Sequence, residues 1–176
     1  MALTIEQIRS AASDEELLNL LGGELRLLFP PELKNDPVVF LSRLRAAPSA
    51  LRAMAATYEL DVSMAVDDLA WHFVNYHSSL ELAEETIGGL LELEETEAAE
   101  IFRGALAIIR PHWSELEAVA RTKTAHEWLD SKGIQNSMNP LNDHMWKVFG
   151  QFGESGLMSV WVAHARKHSE RCVQLN

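Results

Sequence analysis

No lysine or arginine occurs between Ala53 and Phe102, although this stretch carries twelve carboxylates. The stretch therefore carries −12, while the 14 acidic and 15 basic residues outside it sum to +1, so it accounts for the whole formal charge of −11. Separated patches of one charge sign steer association and select partners, and they do not determine the fold. The charge pattern therefore predicts that a cationic surface meets this protein.

Cysteine and long apolar runs are equally scarce. The single Cys172 excludes an intrachain disulfide framework and a cysteine-rich zinc site. No apolar run reaches the roughly 18 to 20 residues that span a bilayer, and the first residues lack the basic and hydrophobic parts of a signal peptide. We therefore expect a cytoplasmic protein that does not contact a membrane. A pI near 5.0 argues against direct binding of nucleic acid.

Strand signals are also few, because alternating β-branched runs and hairpin dipeptides are rare in this chain. Apolar residues instead recur at spacings of three and four, which is typical of helices. The sequence predicts an all-α fold, a single-domain helical bundle of roughly eight to ten helices. Residues 1–30 are expected to form an N-terminal helical clasp of the same domain, and residues 31–176 its helical core.

Capping residues and glycines predict several helix ends. Thr4 and Gln7 have the spacing of a capping box, in which the two side chains bond each other's backbone amides. Gly22 and Gly23 are expected to end the second helix, since glycine readily adopts the left-handed conformation that stops a helix.

Further along the chain, two core helices are expected to meet near Asp61. Gly88 and Gly89 indicate either a close helix crossing or a helix end, because glycine is costly inside a helix. Residues 131–140 are rich in Ser, Gly and Asn and are expected to form a loop. A glycine-containing run at residues 153–156 should precede the last helix.

The acidic stretch contains the candidate binding residues. Side chains three and four residues apart on a helix lie about 5 to 6 Å from each other, and phosphates along one DNA strand rise about 3.4 Å per step. Rows of carboxylates can therefore imitate a phosphate track and block a nucleic-acid-binding protein. The alternative is an acidic face that only solvates the protein. The candidate residues are Glu81, Glu84, Glu85, Glu92, Glu94, Glu95, Glu97 and Glu100.

Signals for metal or catalytic chemistry are weak. His164 and His168 are four residues apart and share a helix face, but two ligands do not make a metal site. The Glu-x-x-His and His-Glu-x-x-His patterns are absent, as is the Gly-x-Ser-x-Gly nucleophile motif. We therefore expect no cofactor, assign no catalytic residue and consider an enzyme less consistent with the sequence than a binding protein.

Tryptophan is the one aromatic residue type that suggests a second function. At helical spacing tryptophans are usually core residues, but they also line ligand pockets between helices. The sequence therefore leaves open a small-ligand binder or enzyme with a tryptophan-lined pocket, and a structural or oligomerisation module. The five tryptophans are Trp71, Trp113, Trp128, Trp146 and Trp161.

Three segments carry a resemblance to a known family. They are residues 67–76, with an aromatic-x-Asn element at Phe73 and Asn75, residues 82–89, with an Ile-Gly pair, and the alanine-rich residues 98–105. Together they resemble the helical family of the Neisseria DNA-mimic protein over about residues 62–109. The family usually has Asn-Gly-Gly before the aromatic element, where this chain has residues 66–68, Val-Asp-Asp.

The resemblance implies a bacterial, homodimeric all-α protein of a family mostly of unknown function. It also implies a negative surface that occupies the DNA-binding face of a basic partner, such as a transcription factor. The charge distribution independently predicts the same kind of partner. We therefore expect a cytoplasmic homodimer that binds a basic protein through the eight carboxylates.

Overall fold

The computed structural model describes residues 3–76, 79–120, 122, 124–149 and 156–174. Helices cover most of these residues, and none of them lies in a strand, which confirms the predicted all-α fold. Short 3-10 helices lie at Pro31–Asn35, Arg110–His112 and Ser169–Cys172. The α-helices are α1 (Ile5–Ser10), α2 (Asp14–Leu28), α3 (Pro37–Ala46), α4 (Ser49–Val66), α5 (Leu69–Tyr76), α6 (Leu80–Glu92), α7 (Thr96–Ile109), α8 (Trp113–Val119), α9 (Ala125–Ser131), α10 (Ile134–Phe149) and α11 (Gly156–Lys167).

The N-terminal helices begin as predicted, but α2 ends later than predicted. The Thr4 hydroxyl accepts from the Gln7 amide and the Gln7 side chain accepts from the Thr4 amide, which confirms the capping box. The prediction that Gly22 and Gly23 end the second helix is wrong, since α2 continues to Leu28. The helical pattern resumes after the glycines, and the helix stops before the prolines at residues 30 and 31.

Two other predicted interruptions are wrong. Helix α4 runs without a break through Asp61, whose carboxylate accepts a hydrogen bond from the backbone of Leu157. Most of residues 131–140 are helical, because Ile134, Met138, Met145 and the other buried residues of α10 keep a helical spacing that outweighs the polar composition. The predicted run at residues 153–156 lies mostly outside the described residues, and Gly156 begins α11.

Helix α4 is the centre of the bundle. It packs against α5, α6 and α11, while α7 packs between α6 and α10. Phe73 of α5 and Phe102 of α7 are fully buried, with ring centroids 5.3 Å apart. Such aromatic pairs contribute about 0.5 to 1.5 kcal/mol beyond the apolar area that they bury. The same core includes Leu17 and Leu21 of α2 and Trp161 of α11, so α4 is surrounded by helices that pack against it.

Helices α1 and α2 pack against the C-terminal part of the chain. The Arg166 guanidinium of α11 donates to the Asp14 carboxylate of α2 at 2.8 Å, and Arg9 Nε donates to Ser169 Oγ at 3.2 Å. Helices α2 and α4 both contact α11. A cleft lies between α2 and α4, and Met158 and Trp161 of α11 contribute to its lining. Among the described residues, no helix has the length and apolar character needed to cross a membrane.

Gly88 and Gly89 are neighbours in α6 with opposite surroundings. A Cβ atom at Gly89 would lie 3.0 Å from the backbone oxygen of Ala53 and 3.1 Å from Cγ2 of Thr57, whereas one at Gly88 would meet nothing within 4 Å. Gly89 is therefore the residue that permits the close crossing of α4 and α6. Of the two predicted alternatives, the helix end is wrong, because α6 continues to Glu92.

The two glycines should respond oppositely to alanine. We expect Gly88→Ala to raise the free energy of unfolding by up to about 1 kcal/mol through helix propensity. Gly89→Ala should lower it by about 1 to 3 kcal/mol, because the added methyl group pushes α6 away from α4. Urea denaturation of both variants measures the difference. A change of the same sign in both would contradict the crossing geometry.

Candidate functional site

The eight candidate carboxylates lie on α6, on α7 and in the turn between them, where six of them meet basic side chains. Only Glu81 and Glu95 form no ion pair with a described residue. The partners come from several parts of the chain, up to 79 residues away. The pairs are Glu84 with Arg110, Glu85 with Arg45 and Arg52, Glu92 with Arg171 and His164, Glu94 with Lys167 and His168, Glu97 with His144, and Glu100 with Arg103.

Glu85 is the most buried of these carboxylates. Arg45 Nε donates to one of its oxygens at 2.8 Å, and the Arg52 guanidinium donates to the other. Burial would raise the pKa of Glu85, but the hydrogen bonds and charges of the two arginines outweigh burial and lower the pKa. This carboxylate therefore holds α3, α4 and α6 together inside the protein.

The stretch contains no lysine or arginine, yet six of the eight candidate carboxylates have a basic partner in the fold. Tertiary packing brings lysine, arginine and histidine from outside the stretch to its side chains, so the charge separation along the sequence is partly cancelled in space. Glu94 also adopts a positive φ of 67°, which a glycine would adopt more easily, and it bonds Lys167 Nζ at 2.8 Å. Partner binding through the eight residues stays a prediction.

The predicted histidine pair lies next to this acidic turn. The rings of His164 and His168 are 4.8 Å apart, and His168 Nε2 lies 3.2 Å from an oxygen of Glu94. His164 is buried, and its Nε2 forms no hydrogen bond with any residue that the structure describes, the nearest carboxylate oxygen being that of Glu92 at 3.8 Å. Burial, and then the charge of His168, lower the pKa of His164. In the described part of the chain, no group of three or more His, Cys, Asp and Glu residues could hold a metal ion.

The tryptophans have different surroundings. The indole N–H of Trp113 donates to Glu117, and that of Trp128 donates to Glu115. Trp161 of α11 is buried beside the cleft between α2 and α4, and its indole N–H donates to the Thr57 hydroxyl at 3.2 Å. Because this polar group is bonded inside the protein, the ring presents apolar surface to the cleft.

The cleft has a cavity volume of about 510 Å³. Tyr58 of α4 and Trp161 of α11 are stacked on one wall with ring centroids 6.3 Å apart. Phe29 and Phe40 lie at one end, with ring centroids 5.6 Å apart. The remaining lining residues are Leu18, Asn19, Gly22, Gly23, Leu25, Arg26, Pro31, Ala55, Glu59 and Met158.

Gly22 and Gly23 form the middle of the α2 wall. Each costs the helix about 1 kcal/mol relative to alanine, yet a Cβ atom at either position would meet nothing within 4 Å. No close helix crossing explains these two glycines, in contrast to Gly89. Their missing side chains widen the cleft opposite Tyr58.

A second depression of about 480 Å³ lies between α6 and α7. Its lining includes Glu84 and Arg110, which pair with each other at 2.9 Å, and Arg103, which pairs with Glu100. None of the described residues that line this depression is aromatic. The cleft between α2 and α4 is the better candidate site, because ligand pockets combine apolar and aromatic walls with a few polar groups.

Of the described cleft residues, only Trp161 is predicted from the sequence to line a ligand pocket. The available signal was the Gly22-Gly23 pair inside a segment whose apolar period continues from Leu17 and Leu21 to Leu25. No protein family, curated protein or solved structure was found that matches the chain. The resemblance to the DNA-mimic family therefore stays a prediction.

Proposed function

We propose that this protein binds a small, largely apolar molecule in the cleft between α2 and α4. The observation that carries the proposal is the open space at Gly22 and Gly23, opposite the stacked rings of Tyr58 and Trp161. The cavity volume of about 510 Å³ lies within the range of small-molecule sites, roughly 300 to 1,000 Å³. Such a site buries much of a ligand against aromatic and aliphatic side chains.

Helix energetics support the proposal. Two adjacent glycines in the interior of α2 weaken the helix by about 1 kcal/mol each. Alanine would fit the ligand-free protein at both positions, because the space around each Cβ is open. The two glycines destabilise α2 and allow no close packing in the free protein. A ligand that occupies the open space beside them would explain why they are present.

Mimicry of nucleic-acid phosphates has less support as a function. Ion pairs already engage six of the eight candidate carboxylates, and only Glu81 and Glu95 remain without one among the described residues. Most of these pairs are exposed, and exposed pairs contribute about 0 to 1 kcal/mol each. Their main effect is to reduce the local negative charge that a basic partner would meet.

A retention experiment tests the proposed function. Purified protein is incubated with a small-molecule extract of the source cells and separated from free metabolites, and the retained compounds are identified by mass spectrometry. We expect the wild-type protein to retain an apolar compound that Gly22→Leu does not retain, because the leucine side chain fills the cleft. Gly88→Leu is the matched control, since it makes the same change at an open helix position outside the cleft.

Circular dichroism first verifies that both leucine variants are folded. Retention by the wild type and by Gly88→Leu but not by Gly22→Leu supports the cleft as the binding site. Equal retention by all three proteins, or retention by none, contradicts the proposed function.

A further inference from the structure

Two of the described residues that line the cleft are charged, and they have different surroundings. Glu59 already interacts with another group of the protein. Arg26 is exposed at the edge of the cleft and forms no hydrogen bond or ion pair with any described residue. The lining also includes two uncharged polar groups, the amide of Asn19 and the phenol hydroxyl of Tyr58. Among the described lining residues, the guanidinium of Arg26 is therefore the charged group that is available to a ligand.

Arg26 lies on the same face of α2 as the two glycines of the cleft. Residues three and four apart share a helix face, so Asn19, Gly22, Gly23 and Arg26 form one stripe along α2. A molecule over the two glycines thus has its end within one helical turn of Arg26. Its body would lie against the rings of Tyr58 and Trp161 on the opposite wall.

The chemistry of this arrangement selects a class of ligand. A guanidinium presents parallel N–H donors that match the two oxygens of a carboxylate. One arginine beside Glu59, in a protein with a formal charge of −11, favours a singly charged anion over a phosphate with two charges. Because Arg26 has no ion-pair partner among the described residues, its positive charge also disfavours a cationic ligand. We infer that the ligand of the cleft is an amphipathic monocarboxylate, whose carboxylate binds Arg26 and whose apolar body covers Gly22 and Gly23. This inference rests on the proposed function.

Three probes of equal chain length but different head group test the inference: octanoate, octanol and octylamine. The readout is the indole ¹H–¹⁵N NMR signal of Trp161, which is assigned by its loss in Trp161→Phe. We expect octanoate to bind wild-type protein about five- to tenfold more tightly than octanol, as charge-assisted hydrogen bonds at a partly open site would provide. Octylamine should bind more weakly than either.

The same titrations with variants of Arg26 show where the preference originates. In Arg26→Gln the preference for octanoate over octanol should disappear, while octanol binding stays the same. Arg26→Lys keeps the charge without the planar fork and should retain part of the preference. Arg103→Gln is the matched control, because it removes one positive charge from α7 outside the cleft and should keep the full preference.

Each other outcome overturns the inference. Equal binding of octanoate and octanol would be consistent with the proposed apolar site but would show that the ligand needs no carboxylate. Preferred binding of octylamine would indicate a cationic ligand. A preference for octanoate that survives Arg26→Gln would place the anion elsewhere. Binding by none of the probes would also overturn the inference, and retention of an apolar compound that depends on Gly22 would show that the proposed function still holds.

Discussion

Lowering the pH from 7 to 5 is expected to reduce the free energy of unfolding by about 2 kcal/mol through His72 alone. The imidazole is fully buried between Phe73 and Phe102, and its Nδ1 lies 2.7 Å from the Ser63 hydroxyl. Burial lowers the pKa of His72 to about 3, although a backbone hydrogen bond at Glu59 opposes the shift. This histidine is therefore neutral in the folded protein at every pH above that value.

The sign follows from the protons that each state binds. Between about pH 3 and pH 6.5 the unfolded chain holds a proton on His72 and the folded protein does not. The stability contributed by the neutral side chain is complete above pH 6.5 and is lost as the pH falls through this window. The lowered pKa of His164 also reduces the free energy of unfolding as the pH falls. Burial raises the pKa of Asp61, of Asp67 and of Glu95, and protonation of these three carboxylates at lower pH increases the free energy of unfolding instead.

A variant without the imidazole isolates the effect. In His72→Gln the amide does not titrate, so urea denaturation at pH 7 and pH 5 should show a smaller loss of stability than in wild type, by about 2 kcal/mol. The comparison uses the change with pH and is independent of any constant loss from repacking. An equal pH dependence in both proteins would show that His72 is protonated or exposed in the native state.

Replacing both glycines of the cleft with alanine should change stability and ligand binding in opposite directions. We expect Gly22→Ala with Gly23→Ala to raise the free energy of unfolding by about 1 to 2 kcal/mol, because alanine favours the helix and both Cβ positions are open. The same two methyl groups narrow the cleft and should weaken ligand binding about tenfold, since overpacking by a methylene costs about 1 to 3 kcal/mol.

Gly88→Ala provides the control for this pair. It should raise stability by a similar amount per residue but leave binding unchanged, because Gly88 is open to solvent and lies outside the cleft. Thermal or urea denaturation gives the stability, and titration with a compound retained by the wild-type protein gives the affinity. Unchanged affinity in the double alanine variant would show that the glycines do not define the site.

Local signals in the sequence predicted the helical class and several helix starts. Ser79 caps α6, with its hydroxyl accepting from the Leu82 amide at 3.2 Å, and Asp36 caps α3 ahead of Pro37. These features depend on residues a few positions apart, so the sequence contains them directly. The Ser, Gly and Asn content of residues 131–140 predicted a loop, but most of these residues are helical. The buried side chains of α10 pack at helical spacing, and this packing outweighs the turn preference of Ser and Asn.

The candidate site was less predictable because its residues come from distant parts of the chain. Lys167 pairs with Glu94 across 73 positions, and Trp161 bonds Thr57 across 104 positions. Spacing along the sequence does not show which basic group meets which carboxylate, so the pairing of the acidic stretch follows only from the folded structure. A pair of glycines can either end a helix or leave space beside it. Only the folded protein shows that Gly22 and Gly23 leave space, because α2 continues past them and a Cβ atom at either position would meet nothing within 4 Å.

A crystal structure of the protein with the compound that it retains from cell extract is the most direct test of the binding site. We predict electron density for that compound between the α2 backbone at Gly22 and Gly23 and the rings of Tyr58 and Trp161, where the cavity of about 510 Å³ lies. Density for the compound elsewhere on the protein, or side chains of the protein itself filling this cleft, would contradict the proposed function.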